Sequence, residues 1–186
     1  MFIQTEPTPN PATLKFIPGR TVLGDGSVDY RDKVEAGGSP LALRLFDVEG
    51  VTGVFLGSDF ISVTKSENEE WQHIKPAVLG AIMDHYISGA PALAAGQLDD
   101  SAGSEDYEPE DEDTVKTIKE LLDTRVRPAV ANDGGDIVFH GYKDGVVFLH
   151  MRGACAGCPS STATLRHGIE NLLRHFCPDV REVRPV

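Results

Sequence analysis

The chain has 186 residues, a length that allows one or two domains, and its hydrophobic content is ordinary for a globular protein. The formal net charge of −12 argues against nonspecific binding to nucleic acid, and no apolar run is long enough to cross a membrane. Three cysteines, an odd number with one close pair, do not suggest a disulfide-bonded scaffold and fit a reducing compartment.

The N-terminus carries no targeting pattern that we can identify. It lacks the basic region followed by an apolar core that marks a secretory signal, and it lacks the arginines of a transit peptide. We therefore expect a cytoplasmic location in a bacterium, or the mitochondrial matrix if the sequence is a processed eukaryotic form.

The first 88 residues have the pattern of a small domain that mixes strands and helices. The predicted elements are, in chain order, an extended polar lead-in at residues 1–12, a strand at 14–17, a helix beginning at Ser39-Pro40, a hairpin of strands at 51–56 and 60–64, and a helix near 69–87. Pro76 is expected to kink or restart the last helix.

Residues 89–113 differ from the rest of the chain in composition. Between residues 97 and 113 there are nine acidic residues and no basic ones, so this stretch carries most of the net charge. Few apolar side chains are present to offset the entropy cost of ordering the backbone. The composition predicts an acidic, flexible linker.

Residues 114–186 read as a second compact domain. The predicted elements are an amphipathic helix from Val115 to Val126, a turn at Asn132–Asp136, a hairpin of strands at 137–142 and 146–151, a helix from Thr162 to Phe176 and a third strand within 180–186. The predicted class is α+β, with two small domains that each pack a mixed or antiparallel sheet against helices.

A Cys-x-x-Cys pair, Cys155 and Cys158, lies on the loop between the predicted strand and the last helix. Its neighbours are small residues, which we expect to leave the sulfur atoms sterically bare. Pro159 suits the first position of the helix. A helix N-terminus carries partial positive charge, which predicts that thiolate is favoured over thiol.

Such a pair is compatible with a dithiol redox site, with half of a zinc site or with half of an iron–sulfur site. Cys177 follows a helix of about 18 residues and should lie roughly 25 Å from Cys158, too far to join the same site. His167 and His175 do not have the usual spacing of zinc ligands. One chain thus offers two good ligands, and a second copy is the simplest way to reach four.

Three other interpretations remain open at this point. The pair could serve a dithiol oxidoreductase, with Cys155 as nucleophile and Cys158 as resolving thiol. It could form a zinc-dependent interaction module built from a dimer. The two cysteines could also be inert thiols.

Residues 114–186 resemble the NifU-like C-terminal domain of iron–sulfur scaffold proteins. The matching segments are Arg127-Pro128-Ala129-Val130, Asp133-Gly134-Gly135-Asp136 and Gly153-Ala154-Cys155-Ala156-Gly157-Cys158-Pro159-Ser160-Ser161. Residues 1–88 resemble the N-terminal domain fused to it in Nfu proteins. The segments that match there are Thr5-Glu6-Pro7-Thr8-Pro9-Asn10-Pro11, Leu14-Lys15-Phe16 and Lys75-Pro76-Ala77-Val78.

The resemblance implies a non-enzymatic scaffold or carrier. It implies that Cys155 and Cys158 ligate a [4Fe–4S] cluster shared between two subunits, which is passed on to recipient apoproteins. The implied partners are a second copy of the chain when the cluster is loaded, apo iron–sulfur recipients and upstream iron–sulfur assembly proteins. Neither nucleic acid nor a membrane is expected as a partner.

Overall fold

The computed structural model describes residues 1–95, 105–156 and 159–186. The chain divides into two compact units, Met1–Asp99 and Asp100–Val186. Each unit contains one β-sheet packed with helices, which confirms the predicted α+β class with two small domains. The domain boundaries predicted above stay a prediction.

The first unit is built on a five-stranded antiparallel sheet. Its elements are β1 (Gln4–Pro7), β2 (Thr13–Ile17), β3 (Val28–Tyr30), α1 (Pro40–Phe46), β4 (Val51–Leu56), β5 (Ile61–Lys65) and α2 (Trp71–Ser88). The order across the sheet is β1-β2-β5-β4-β3. The largest buried side chains of its core include Phe16, Leu41, Leu45, Ile61 and Ile82.

Local sequence signals explain several of these elements. Ser39 caps α1, because its hydroxyl oxygen accepts a hydrogen bond from the Ala42 N–H at 3.0 Å. The hairpin of β4 and β5 forms as predicted, with Gly57 in its turn, where a Cβ would come within 2.5 Å of the Phe60 ring. Pro76 lies inside α2, which continues through it to Ser88 without restarting.

Strands β1 and β3 are absent from the prediction. The residues expected to form an extended lead-in contain β1, which pairs with β2 in antiparallel register from Gln4 to Pro7. Pro7 fits there because β1 is an edge strand, where a missing N–H removes no ladder hydrogen bond that the sheet requires.

The second unit is built on a four-stranded mixed sheet. Its elements are β6 (Asp106–Tyr107), α3 (Glu112–Leu121), a π-helical turn (Leu122–Val126), α4 (Arg127–Asn132), β7 (Gly135–Lys143), β8 (Val146–Gly153), α5 (Pro159–Phe176) and β9 (Glu182–Pro185). The order is β6-β7-β8-β9, with β7 and β8 antiparallel and both outer strands parallel to their neighbours. The predicted hairpin and third strand are therefore confirmed.

The expectation of a flexible linker through residue 113 is wrong at its C-terminal end. Asp106 and Tyr107 form β6, which pairs with Gly141 and Tyr142 of β7. Acidic residues in the first turn of α3 are stabilised there by the partial positive charge of a helix N-terminus. An acidic composition is thus compatible with regular structure when a non-local strand supplies the hydrogen bonds.

The N-terminal end of the predicted linker is also ordered against the first unit. The Ala94 N–H donates to the Gly38 carbonyl at 2.8 Å, and the Ser39 hydroxyl donates to the Ala92 carbonyl at 2.5 Å. The remaining part of the predicted linker, residues 96–104, lies outside the described residues. Across the part of the chain that the structure describes, no helix combines the length and apolarity that a membrane span requires.

Candidate metal centre

The cysteine-bearing loop leaves the end of β8 and leads to the start of α5, as the sequence predicts. β8 ends at Gly153, whose φ of 68° requires the conformational freedom of glycine. Cys155 follows two residues later, and α5 begins at Pro159. Cys158 lies outside the described residues, so its placement beside Cys155 stays a prediction.

Contrary to expectation, the Cys155 side chain is buried. It is only 6% exposed and belongs to the hydrophobic core of the second unit. A Cβ at Gly135 would lie 2.8 Å from Cys155 Sγ and 2.7 Å from the Arg152 carbonyl oxygen. The sulfur atom therefore rests against the backbone of Gly135, and only glycine leaves room for it at that position.

Two hydrogen bonds tie the backbone around Cys155 to the elements on either side of it. The Ala154 N–H donates to the Gly134 carbonyl at 3.3 Å, which ties the loop to the turn before β7. The Thr162 hydroxyl donates to the Cys155 carbonyl at 2.8 Å, which ties the loop to the first turn of α5. Cys155 is thus held from both sides, by the sheet and by the helix.

The electrostatic surroundings of Cys155 oppose ionisation. Burial, and then the carboxylates of Asp133 and Asp136, raise the pKa of the Cys155 thiol to about 11. The expectation that the helix N-terminus favours the thiolate is therefore wrong for this cysteine. Loss of hydration is the largest cause of the raised pKa, and the two nearby negative charges add to it.

The segment expected to be only a turn supplies one partner of a part-buried ion pair. Asp133 caps α4 and Gly134 turns with a φ of 79°, but Asp136 already belongs to β7 and is 6% exposed. Its carboxylate accepts two hydrogen bonds from Arg127, each 2.9 Å long. The hydrogen bonds to Asp136 raise the pKa of Arg127, so the guanidinium stays charged. The sequence signal was present, because both residues lie in segments that carry the family resemblance.

Cys177 is confirmed at the far end of the motif helix. It directly follows α5, whose 18 residues correspond to a length of about 27 Å. Cys155 and Cys177 are free thiols among the cysteines that the structure describes. Within the same described part, no three His, Cys, Asp or Glu side chains are close enough together to hold a metal ion.

The stability of the apoprotein is expected to depend on Cys155 at alkaline pH. In the folded chain the Cys155 pKa is about 11, against an ordinary value of 9.0. Below pH 9 the Cys155 thiol is protonated in both the folded and the unfolded state, and its full contribution to the free energy of unfolding is present. As the pH rises from 9 to 11 the unfolded state ionises first, so about 2–3 kcal/mol of stability is lost.

Urea unfolding of the parent and of Cys155→Ala across this pH range measures that loss. The difference in unfolding free energy between the two proteins should shrink as the pH rises. A difference that stays constant from pH 8 to pH 11 would contradict the raised pKa. Tyr142 and Cys177 also have raised pKa values, and their contributions cancel in the comparison.

Comparisons with known proteins agree with this two-unit organisation. Residues 3–89 match the family model described as scaffold protein Nfu/NifU N terminal, and residues 118–184 match the NifU-like domain. The chain is 54% identical over 187 residues to a Drosophila sechellia protein named NFU1 iron–sulfur cluster scaffold homolog, mitochondrial, and 53% identical to its Drosophila erecta counterpart. In both cases the alignment covers all of this chain and 65% of the relative, so the chain spans about two thirds of their length.

A solution NMR structure of a NifU-like protein from Saccharomyces cerevisiae is also similar. It shares 25% sequence identity with a TM-score of 0.46, and the match covers 51% of this chain and 86% of the yeast one. The two family models together account for most of the sequence, one for each compact unit. The chain belongs to the Nfu family and joins an Nfu/NifU N-terminal domain to a NifU-like domain.

Proposed function

We propose that this protein is a scaffold or carrier that binds a [4Fe–4S] cluster between two subunits through Cys155 and Cys158 and transfers it to recipient apoproteins. The observation that carries the proposal is the free thiol of Cys155, held on the loop between β8 and α5 within a NifU-like domain. Thiolate sulfur is the donor that iron–sulfur clusters take from proteins. The relatives named as iron–sulfur cluster scaffolds support the same role.

The raised pKa of Cys155 couples loading and release of the cluster to proton exchange at this thiol. At neutral pH the thiol of the apoprotein is protonated, so formation of an iron–sulfur bond releases a proton. When a recipient thiolate displaces Cys155 from iron, the Fe–S bond to Cys155 breaks and its thiolate takes up a proton from water. Asp133 and Asp136 favour this protonation, which opposes recapture of the cluster.

A shared site follows from the number of ligands. A [4Fe–4S] cluster is held by four thiolates, and each chain offers Cys155 and Cys158. The buried position of Cys155 requires the loop to open before its sulfur can reach a cluster bound by two subunits. The homodimer is therefore proposed for the loaded form, with apo recipients and upstream iron–sulfur assembly proteins as further partners.

The proposed role is binding and delivery rather than catalysis. A dithiol oxidoreductase needs an attacking thiol whose pKa is near the ambient pH or below it, whereas burial raises the pKa of Cys155 well above neutrality. The relatives named mitochondrial favour the mitochondrial matrix over a bacterial cytoplasm as the place of action.

Absorption spectroscopy of the anaerobically reconstituted full chain tests this proposal, together with iron, sulfide and zinc analysis of the same sample. The expected result is a broad band in the near-visible region with equimolar iron and sulfide. Bound zinc without sulfide would identify a zinc-dependent interaction module instead. Absence of any metal, together with reversible formation of a disulfide between Cys155 and Cys158, would indicate a dithiol oxidoreductase instead of a cluster carrier.

A further inference from the structure

We propose that Arg127 is a positioning residue for Cys155, acting through Asp136 and Gly135. This inference rests on the proposed function for its biological meaning, because it explains how a cluster ligand is held before the cluster binds. The contacts from which it is argued belong to the apoprotein and do not depend on cluster binding.

The ion pair has the geometry of a strong and directional contact. Arg127 Nε donates to Asp136 Oδ1 and a terminal guanidinium nitrogen donates to Oδ2, both at 2.9 Å. Asp136 Oδ1 also accepts the backbone N–H of Ile137 at 2.8 Å. A two-pronged guanidinium–carboxylate pair fixes orientation as well as distance. Arg127 therefore fixes both the side chain of Asp136 and the backbone that follows it.

The first residues of β7 form the support beneath the Cys155 sulfur. Gly135 directly precedes Asp136, and its backbone leaves room for Sγ only because no Cβ is present. In the β7–β8 ladder, Gly135 lies opposite Gly153 and Asp136 lies opposite Arg152. A shift at the start of β7 therefore displaces both the surface against which the sulfur packs and the end of β8 from which its loop departs.

The other end of the ion pair is anchored in the helical layer. Arg127 opens α4 immediately after the π-helical turn, in which Leu122 and Val126 are buried. A third guanidinium hydrogen bond, 3.2 Å long, goes to Asp123 one turn earlier on the same helical segment. The guanidinium group thus links packed helical residues to the strand beneath Cys155. Without this guanidinium group, the start of β7 would be held less firmly.

Alkylation of the reduced apoprotein by iodoacetamide, followed by peptide mass spectrometry, tests this inference. Cys155 and Cys177 are both 6% exposed in the same core. The alkylation rate of each thiol therefore reports how often the structure around that thiol opens to the reagent. In Arg127→Ala we expect Cys155 to react about tenfold faster, or more, with the Cys177 rate unchanged. Arg127→Lys should give an intermediate rate, because lysine keeps the charge but loses the two-pronged contact.

Arg125→Ala is the matched control. Arg125 lies in the π-helical turn two residues earlier, and its guanidinium lies 5.1 Å from the centre of the Phe176 ring, a cation–π contact. Its removal should leave the Cys155 rate at the parent value. An unchanged Cys155 rate in Arg127→Ala would overturn the proposal. Equal acceleration of Cys155 and Cys177 would also overturn it, since that result would indicate general destabilisation.

A second measurement separates this inference from the proposed function. Iron and sulfide are determined in the reconstituted parent and in Arg127→Ala, and the decay of the visible absorption is followed in the presence of an iron chelator. Because Cys155 must leave the Gly135 support to reach the cluster, decay in Arg127→Ala that is no faster than in the parent is the expected result. Faster decay would overturn the proposal that Arg127 holds Cys155 in its buried apo position. If the parent binds no cluster but Cys155 alone reacts faster in the apo variant, the positioning role stands and the proposed function fails.

Discussion

Cys155→Ser is expected to abolish stable cluster binding, whereas Cys177→Ser is expected to retain it. Serine replaces the soft sulfur donor by a hydroxyl that is a poor ligand for iron in a cluster. Iron and sulfide, measured after anaerobic reconstitution and desalting, should fall by roughly tenfold or more in Cys155→Ser. Cys158→Ser is expected to behave in the same way.

Cys177→Ser is a closely matched control for this experiment. Both Cys155 and Cys177 are 6% exposed and belong to the same hydrophobic core, so both substitutions introduce a buried hydroxyl of the same size. The two positions are separated by the length of α5. Iron retention in Cys155→Ser equal to that of the parent would contradict the assignment of Cys155 as a ligand.

Elements whose signals are local could be predicted from the sequence. The hairpin of β7 and β8 is marked by alternating apolar residues and by the Asp144-Gly145 turn, where both residues have positive φ. The start of α1 is marked by its capping serine and the proline that follows. These features depend on neighbours within a few residues, and the structure has them where the sequence places them.

Elements that depend on distant partners were not predicted. β6 contains only two residues within an acidic segment. It becomes a strand because Gly141 and Tyr142 of β7, more than thirty residues further along, offer the edge of that strand. Tyr107 then packs edge-on against Phe139, with 6.5 Å between ring centres. Composition alone indicated a linker there, since it reports local hydrophobicity and not the availability of a sheet edge.

The candidate site likewise has some features that local sequence predicts and others that depend on distant residues. The strand–loop–helix setting of Cys155 follows from local sequence, and the structure confirms it. The burial of its sulfur and its raised pKa depend on Gly135, Asp133 and Asp136, which lie about twenty residues earlier in the chain. A prediction that considers only the nearby helix N-terminus assigns the opposite sign to the pKa shift. The sequence could suggest the ligand but not its protonation state.

The buried thiol bears on how a carrier can hold and then release a cluster. A ligand with a high pKa binds a proton in competition with iron, so its affinity for the cluster is lower at neutral pH than that of an acidic thiol. Loop opening adds a further cost to loading, which association with a second subunit can offset. In the proposed role, both effects favour transfer of the cluster over permanent retention.

Cluster loading is expected to convert the protein from monomer to dimer. In the proposed shared site each chain provides two of the four thiolate ligands that a [4Fe–4S] cluster requires, so the ligand bonds would stabilise only the assembled form. At low micromolar concentration the apoprotein should then be mainly monomeric. Because metal binding and association are linked, removal of iron with a chelator should restore the monomer.

Sedimentation velocity of the 186-residue chain in its apo and reconstituted forms, with iron measured across the sedimenting boundary, tests the shared site most directly. Cys155→Ser, treated in the same way, serves as the control and should remain monomeric. The account predicts that about four irons per dimer accompany the doubling of mass. A loaded monomer that carries about four irons per chain would contradict it, because such a species requires two ligands other than Cys155 and Cys158.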